Sequence, residues 1–183
     1  MDTREQITTW VDTNREYLVE TANEIFKHPE ISLEEKVSSK ILADYLEKQG
    51  FTVTWGLAGF ETAFVAEWGH GEPVLGFLAE YDALPGLGQE TCSTRKAIEG
   101  PGHGCGHNLL GTACAGAAGA LKSWMETEER EGTIRVYGCP AEEIVIGKIR
   151  MNEAGVFDDL SAAITWHPFD RNRVSYDIWQ AQD

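Results

Sequence analysis

The stretch GPGHGCGHNLLG, Gly100–Gly111, sets Cys105 between His103 and His107 in a run of glycines, just ahead of a segment of small residues. Glycine lets the backbone turn where other residues resist. Cys and His carry the soft and borderline donors that divalent metals take. A thiol and two imidazoles at one flexible corner either hold a metal or form a nucleophile with its base. On one side of this corner, residues 108–126 read as an Ala/Gly-rich helix with Asn108 as its N-cap. On the other side, Gly and Pro punctuate a long loop from Asp82 to Gly104. Loops of that length in a compact domain tend to carry function.

Further out, apolar residues on one stripe predict an amphipathic helix over 4–27. Pro29 breaks it. Ser32 and Glu35 have the spacing of a capping box, which opens a second helix to Gln49, with Gly50 as its stop. Short β-rich runs follow at 51–55, 62–68 and 74–80, and the turn GHGEP predicts a hairpin between the last two. After the corner come a strand over 133–139, a helix over 146–154, a strand over 162–167 and a new strand starting within RVSYDIWQAQD. Strands alternating with helices predict an α/β fold, with helices packed on a mixed sheet.

The chain has 183 residues, 42% hydrophobic and 25% charged, which suits one globular domain or a domain and a fragment. Its net charge of −15 argues against a nucleic-acid partner, because phosphates call for Lys and Arg. No apolar run reaches membrane-spanning length, and the polar start MDTREQITTW is unlike a secretory signal. The four cysteines are too few and too scattered for a disulfide scaffold, so a reduced, cytoplasmic setting is expected.

Polar groups fall just past three expected strands: Glu80 and Asp82, Glu142 and Glu143, and His167. Open α/β sheets bind ligands at the carboxyl ends of their strands. With Cys105 and His107 these groups make a donor set for Zn²⁺, or for a harder ion such as Mn²⁺ if carboxylates dominate. One of two adjacent glutamates can ligate while the other moves protons. Each feature also has a plainer reading. A single Cys is often a small buried hydrophobe, His167 before Pro168 can merely end a strand, and acids favour helix N-termini. His28 and His70 read as structural or exposed, and His103 stays open. A metal-free cysteine hydrolase would leave the acidic clusters without a purpose.

The motifs HPE at Pro29, AEYDALPGL, GHGCGHNLLGTA, YGCPAEE, GVFDD and AITWHP run in one order along the chain. In that order they resemble the M20 metallopeptidase and amidohydrolase superfamily, in its aminoacylase-like branch. The resemblance implies a zinc-exopeptidase-like catalytic domain, here incomplete, over 1–170, with the start of a lid or dimerisation domain at 171–183. It implies two divalent ions, Zn or Mn, and hydrolysis of an amide between an acyl or aroyl group and an amino acid, as in p-aminobenzoyl-glutamate. Carried over by motif, Cys105, His107, Glu143 and His167 resemble the metal ligands and Glu142 the general base, while Asp82 resembles the acid that orients a ligand. Glu80 stands where other branches have a metal-binding His. The bulky Ile144-Val145-Ile146 departs from the small residues usual after the glutamate pair. The family's lid and its late His ligand would lie beyond Asp183, so the chain by itself is expected to be inactive and to associate with a copy or a partner subunit. The alternatives are a non-catalytic module that keeps the fold, or a dipeptidase or N-acyl-amino-acid deacylase of the same superfamily.

Overall fold

The computed structural model describes residues 2–171. The chain forms α1 (Thr3–Thr13), α2 (Arg15–Lys27), α3 (Lys36–Lys48), β1 (Thr52–Trp55), β2 (Phe64–His70), β3 (Val74–Glu80), α4 (His107–Thr127), β4 (Gly132–Cys139), α5 (Gly147–Glu153) and β5 (Ala162–Ile164). The five strands make one sheet in the order β1-β2-β4-β3-β5. β1–β2 and β2–β4 pair antiparallel, while β4–β3 and β3–β5 pair parallel. The mixed sheet with packed helices is the expected fold class. The domain expected over 171–183 and its strand lie outside the described residues, Arg171 apart.

Period-two alternation along β4 separates two apolar layers. Ile134 and Val136 face a core shared with Ile25, Leu42, Leu46, Leu110 and Ala115 of α2, α3 and α4. Tyr137 and Cys139 face Phe60, Met151 and Phe157 on the opposite side. Helices therefore cover one face, and α5 with its flanking turns covers the other. An apolar groove lined by Ile7, Val11, Leu18, Leu109 and Trp166 stays open beside α4.

Four expectations are corrected. The helix over 4–27 is two helices, because the Asn14 side chain donates to Trp10 O at 2.8 Å and interrupts the ladder. Ser32 and Glu35 do not cap α3. The Glu30 carboxylate does so instead, accepting from Val37 N and Ser38 N. Asn108 is not the N-cap of α4. Gly106 holds that position, and Asn108 is buried with its amide on Ala22 O at 3.2 Å.

Most consequential is the missing hairpin: β2 and β3 do not pair, since β4 lies between them. Strands two apart in a sheet stand about 9.6 Å from each other, a gap that three residues can bridge. The 71–73 connection spans it over the start of β4, where Thr133 donates from N to Pro73 O at 2.9 Å and from Oγ1 to Gly71 O at 2.8 Å. Burial decides this arrangement: β4 is buried almost throughout and so sits between two neighbours. The last expected strand is also shorter, ending at Ile164, so His167 lies three residues past it.

Candidate metal centre

β3 and β4 run parallel with Glu80 level with Cys139. Their chain continuations, Glu80–Asp82 and Ala141–Glu143, therefore emerge side by side. α4 begins beside them at His107. Its first turn lies against the end of β3, where a Cβ on Gly111 would come within 2.5 Å of Glu80 O. Gly106, at φ 83°, turns the chain into the helix. A Cβ there would meet Pro168 Cγ at 2.6 Å, so the segment after β5 lies directly on this glycine. That contact sets His167 next to Cys105.

His107 is fully buried and organises the cluster. Its Nδ1 pairs with Asp82 Oδ1 at 2.8 Å, and Asp82 Oδ2 accepts from Ser32 Oγ at 2.8 Å and Glu143 N at 3.0 Å. Its Nε2 is buried and makes no hydrogen bond. Around it stand Glu80 Oε2 at 3.1 Å, Glu142 Oε2 at 3.8 Å and Glu143 Oε1 at 3.8 Å. Glu143 Oε1 is likewise buried without a partner. Cys105 Sγ lies 3.2 Å from His167 Nε2. Donor atoms of Cys105, His107 and His167 fall within 4.8 Å of one another, and so do those of Glu80, His107 and Glu142.

Donor nitrogens and oxygens about 2.1 Å from one ion stand within about 4.2 Å of each other. The distances around His107 Nε2 meet that limit, and its orphaned lone pair is what a metal ligand offers. The residues present fit a divalent cation.

The charges point the same way. For His107, burial opposes protonation, but the Asp82 hydrogen bond and the Glu80 charge prevail and raise its pKa. The cluster favours positive charge at this nitrogen. For Asp82, burial alone would raise the pKa, but hydrogen bonds from His107, Glu143 N and Ser32 hold it below the usual carboxylate range. Burial, with the nearby Asp82 and Glu142, raises Glu143. Burial and the charges of Glu143, Glu142 and Glu80 push the Cys105 thiol up to about 12. Such a thiol is a poor nucleophile on its own, which weighs against a metal-free cysteine hydrolase.

The fold thus gathers Asp82, Cys105, His107, Glu142, Glu143 and His167 at one place. The two glutamates differ: the Glu142 side chain is 35% exposed and that of Glu143 15%. His103 stands apart, buried with Nε2 3.2 Å from Ile25 O. His28 and His70 are exposed. Sequence reasoning misses three residues. Ser32 and Glu35 fit a helix cap by spacing, yet Ser32 holds Asp82 and Glu35 accepts from Ala141 N. Lys148 reaches Glu80 Oε1 from α5 and supplies an ammonium group amid four carboxylates. A buried acid is the signal that would have found Glu35, and burial cannot be read from one glutamate in a polar stretch.

Comparisons with known proteins agree with this geometry. One relative is the protein from Escherichia coli named as the second, or B-type, component of p-aminobenzoyl-glutamate hydrolase. The chain is 47% identical to it over 161 residues, covering 86% of this chain and 34% of that protein. It is 33% identical over 178 residues to the human Xaa-Arg dipeptidase, covering 88% of this chain and 38% of the relative. It thus spans about a third of the length of these relatives. Among solved structures, a dinuclear metal-binding M20 peptidase from Bacillus subtilis superposes with a TM-score of 0.70 at 28% identity, covering 83% of this chain and 42% of that one. The sequence model of Peptidase family M20/M25/M40 matches residues 76–178, more than half of the chain. With the ordered motifs, the shared fold and the gathered donors, this match shows that the chain belongs to peptidase family M20/M25/M40.

Proposed function

We propose that this chain forms the metal-binding part of an amidohydrolase that cleaves an amide between an acyl or aroyl group and an amino acid, with p-aminobenzoyl-glutamate as the first substrate to test. One observation carries the reading: His107 Nε2, its ring fixed by Asp82, is buried without a hydrogen bond and faces three carboxylates. The E. coli relative named for p-aminobenzoyl-glutamate supports the substrate class, and the dinuclear B. subtilis structure supports two ions. Cys105, His107, Glu143 and His167 would hold the pair, with Zn²⁺ and Mn²⁺ both compatible with the donors.

When bound, the ions supply Lewis-acid polarisation of the amide carbonyl and water acidic enough to react near neutral pH. Asp82 fixes the orientation of the His107 ring. Glu142, more open to solvent than Glu143, takes a proton from the attacking water and returns it to the leaving amine. Glu143, nearer the interior, serves as a ligand.

We assign turnover to the longer architecture that the relatives have. In the chain as given, His167 is exposed, and a water-excluding pocket calls for more protein around it. A partner protein or a second copy is a fitting associate, since the E. coli relative is itself named as one component of a hydrolase. The four cysteines are free, in keeping with a reducing, cytoplasmic setting. No helix among the described residues is long and apolar enough to cross a membrane.

The test is hydrolysis of p-aminobenzoyl-glutamate and simple N-acyl amino acids by the full-length protein, before and after chelation and after Mn²⁺ or Zn²⁺ is restored. Loss on chelation and recovery with metal are expected. Hydrolysis that is indifferent to a chelator would refute the reading.

A further inference from the structure

The turn that carries Glu142 and Glu143 is held at two points by buried carboxylates. Asp82 Oδ2 accepts Glu143 N at 3.0 Å. Glu35 Oε1 accepts Ala141 N at 2.8 Å, from 106 residues away in the sequence. Glu35 is 0% exposed. The same Oε1 accepts Leu33 N at 2.9 Å, while Oε2 meets Thr62 Oγ1 at 3.3 Å. Ala141 lies at φ 56° and Val145 at φ 57°. Left-handed backbone at residues with a Cβ is unfavourable and persists only where the surroundings hold it. A buried carboxylate is costly as well unless its acceptors are used.

We propose that Glu35 is a positioning residue: by binding Ala141 N it holds the turn in its strained conformation and aims the Glu142 and Glu143 carboxylates at His107. Its consequence for metal binding rests on the metal-centre reading above. Its hold on the turn does not.

The bonding pattern supplies a discriminating test. Oε1 serves both amides, and Oε2 meets only a hydroxyl, which donates or accepts equally well. Burial raises the Glu35 carboxyl above its usual range, which suits that arrangement. Glutamine therefore reproduces every contact, with its carbonyl on the two amides and its NH₂ on Thr62. Leucine keeps the bulk but strands Leu33 N and Ala141 N.

The experiment compares the whole 183-residue chain as wild type, Glu35→Gln, Glu35→Leu and Ile134→Ala. The last removes core packing near the start of β4, at the far end of that strand from the glutamate turn. One readout is amide hydrogen exchange at Ala141. The other is Co²⁺ titration followed by thiolate-to-cobalt absorption. Glu35→Leu should speed exchange at Ala141 by about tenfold, the weight of one hydrogen bond, and weaken Co²⁺ binding by about tenfold or more. Glu35→Gln should restore both. Ile134→Ala should lower the melting temperature and leave both unchanged. If Glu35→Leu does not fold, Glu35→Asp withdraws the acceptor by one methylene and should move both readouts in the same direction.

Exchange at Ala141 that ignores Glu35→Leu and Glu35→Asp would overturn the proposal, as would Ile134→Ala reproducing their effects. A wild-type chain that takes up no Co²⁺ while exchange responds as expected would refute the metal-centre reading and uphold the role of Glu35.

Discussion

The two sides of the candidate centre are built differently. On the His107 side every polar group is buried and tied. Asp82 holds the ring, Ser32 and Glu143 N hold Asp82, and Lys148 holds Glu80. On the His167 side the imidazole is exposed, and it is placed by a short segment lying on Gly106 and by its contact with Cys105. The first side belongs to the sheet: its residues leave parallel strands whose register is fixed by a ladder of hydrogen bonds. The second side follows a three-residue edge strand. The contrast separates a preorganised half, where loss of one support spreads to several groups, from an adaptable half that is defined by what binds it.

Four measurements break or sharpen this contrast. The largest effect is expected at the glutamate pair. In the full-length protein Glu142→Gln should keep its metal and lose on the order of 10²–10⁴-fold in kcat, the usual weight of general acid–base catalysis. Glu143→Gln should lose metal itself, read by metal content after gel filtration. Equal metal loss in both would erase the distinction between the exposed and the inner carboxylate.

Next comes the support of the His107 ring. Asp82→Asn should weaken Zn²⁺ or Mn²⁺ binding by about 10–100-fold. Pro168→Ala, on the adaptable side, should change it by less than about threefold. Calorimetric titration of both variants compares the two sides directly, and similar losses would show that they are equally organised.

A third test concerns the contact of α4 with β3. Gly111→Ala places a Cβ against Glu80 O, where backbone rather than a flexible side chain must yield. It should destabilise the chain by about 1–3 kcal/mol, as measured by urea unfolding. A stability equal to wild type would mean that the first turn of α4 is free to shift.

The smallest effect is a pH dependence at Glu35. Its pKa is raised in the folded chain, chiefly by burial. A carboxyl raised above its unfolded value binds its proton more tightly when folded, so its stabilising contribution is present below the unfolded pKa and is lost as pH rises through the folded one. Glu35→Gln does not titrate. The two proteins should match in acid, and the variant should gain on wild type as pH rises above the ordinary glutamate range. Thermal melts at a series of pH values read this difference, and a gap that closes with rising pH would contradict it.

Much of the molecule was legible because local rules and ordered motifs are strong signals. The Gly100–Gly111 corner announced its donors through residue type, and α4 follows it as expected because small residues favour helix and close packing. The α/β class followed from the alternation of strands and helices. Cys105 and His107, two apart, can serve one site only if the helix begins no earlier than His107, and it begins there. The misreadings share one cause. Ser32 and Glu35 fit a capping box by spacing, and residues 64–80 fit a hairpin by turn composition, but each local preference yielded to a partner distant in sequence.

By itself, then, the sequence determined the donor types, their order along the chain, the fold class and the family, because these depend on side-chain chemistry and short-range periodicity. Tertiary structure alone decided that β4 divides β2 from β3, that the ends of β3 and β4 stand level, that His107 keeps a bare nitrogen among three carboxylates, and that Glu35 grips the turn before Glu142. Those facts depend on which buried surfaces find each other and which polar groups are left in the interior to be satisfied. No window of neighbouring residues contains that information.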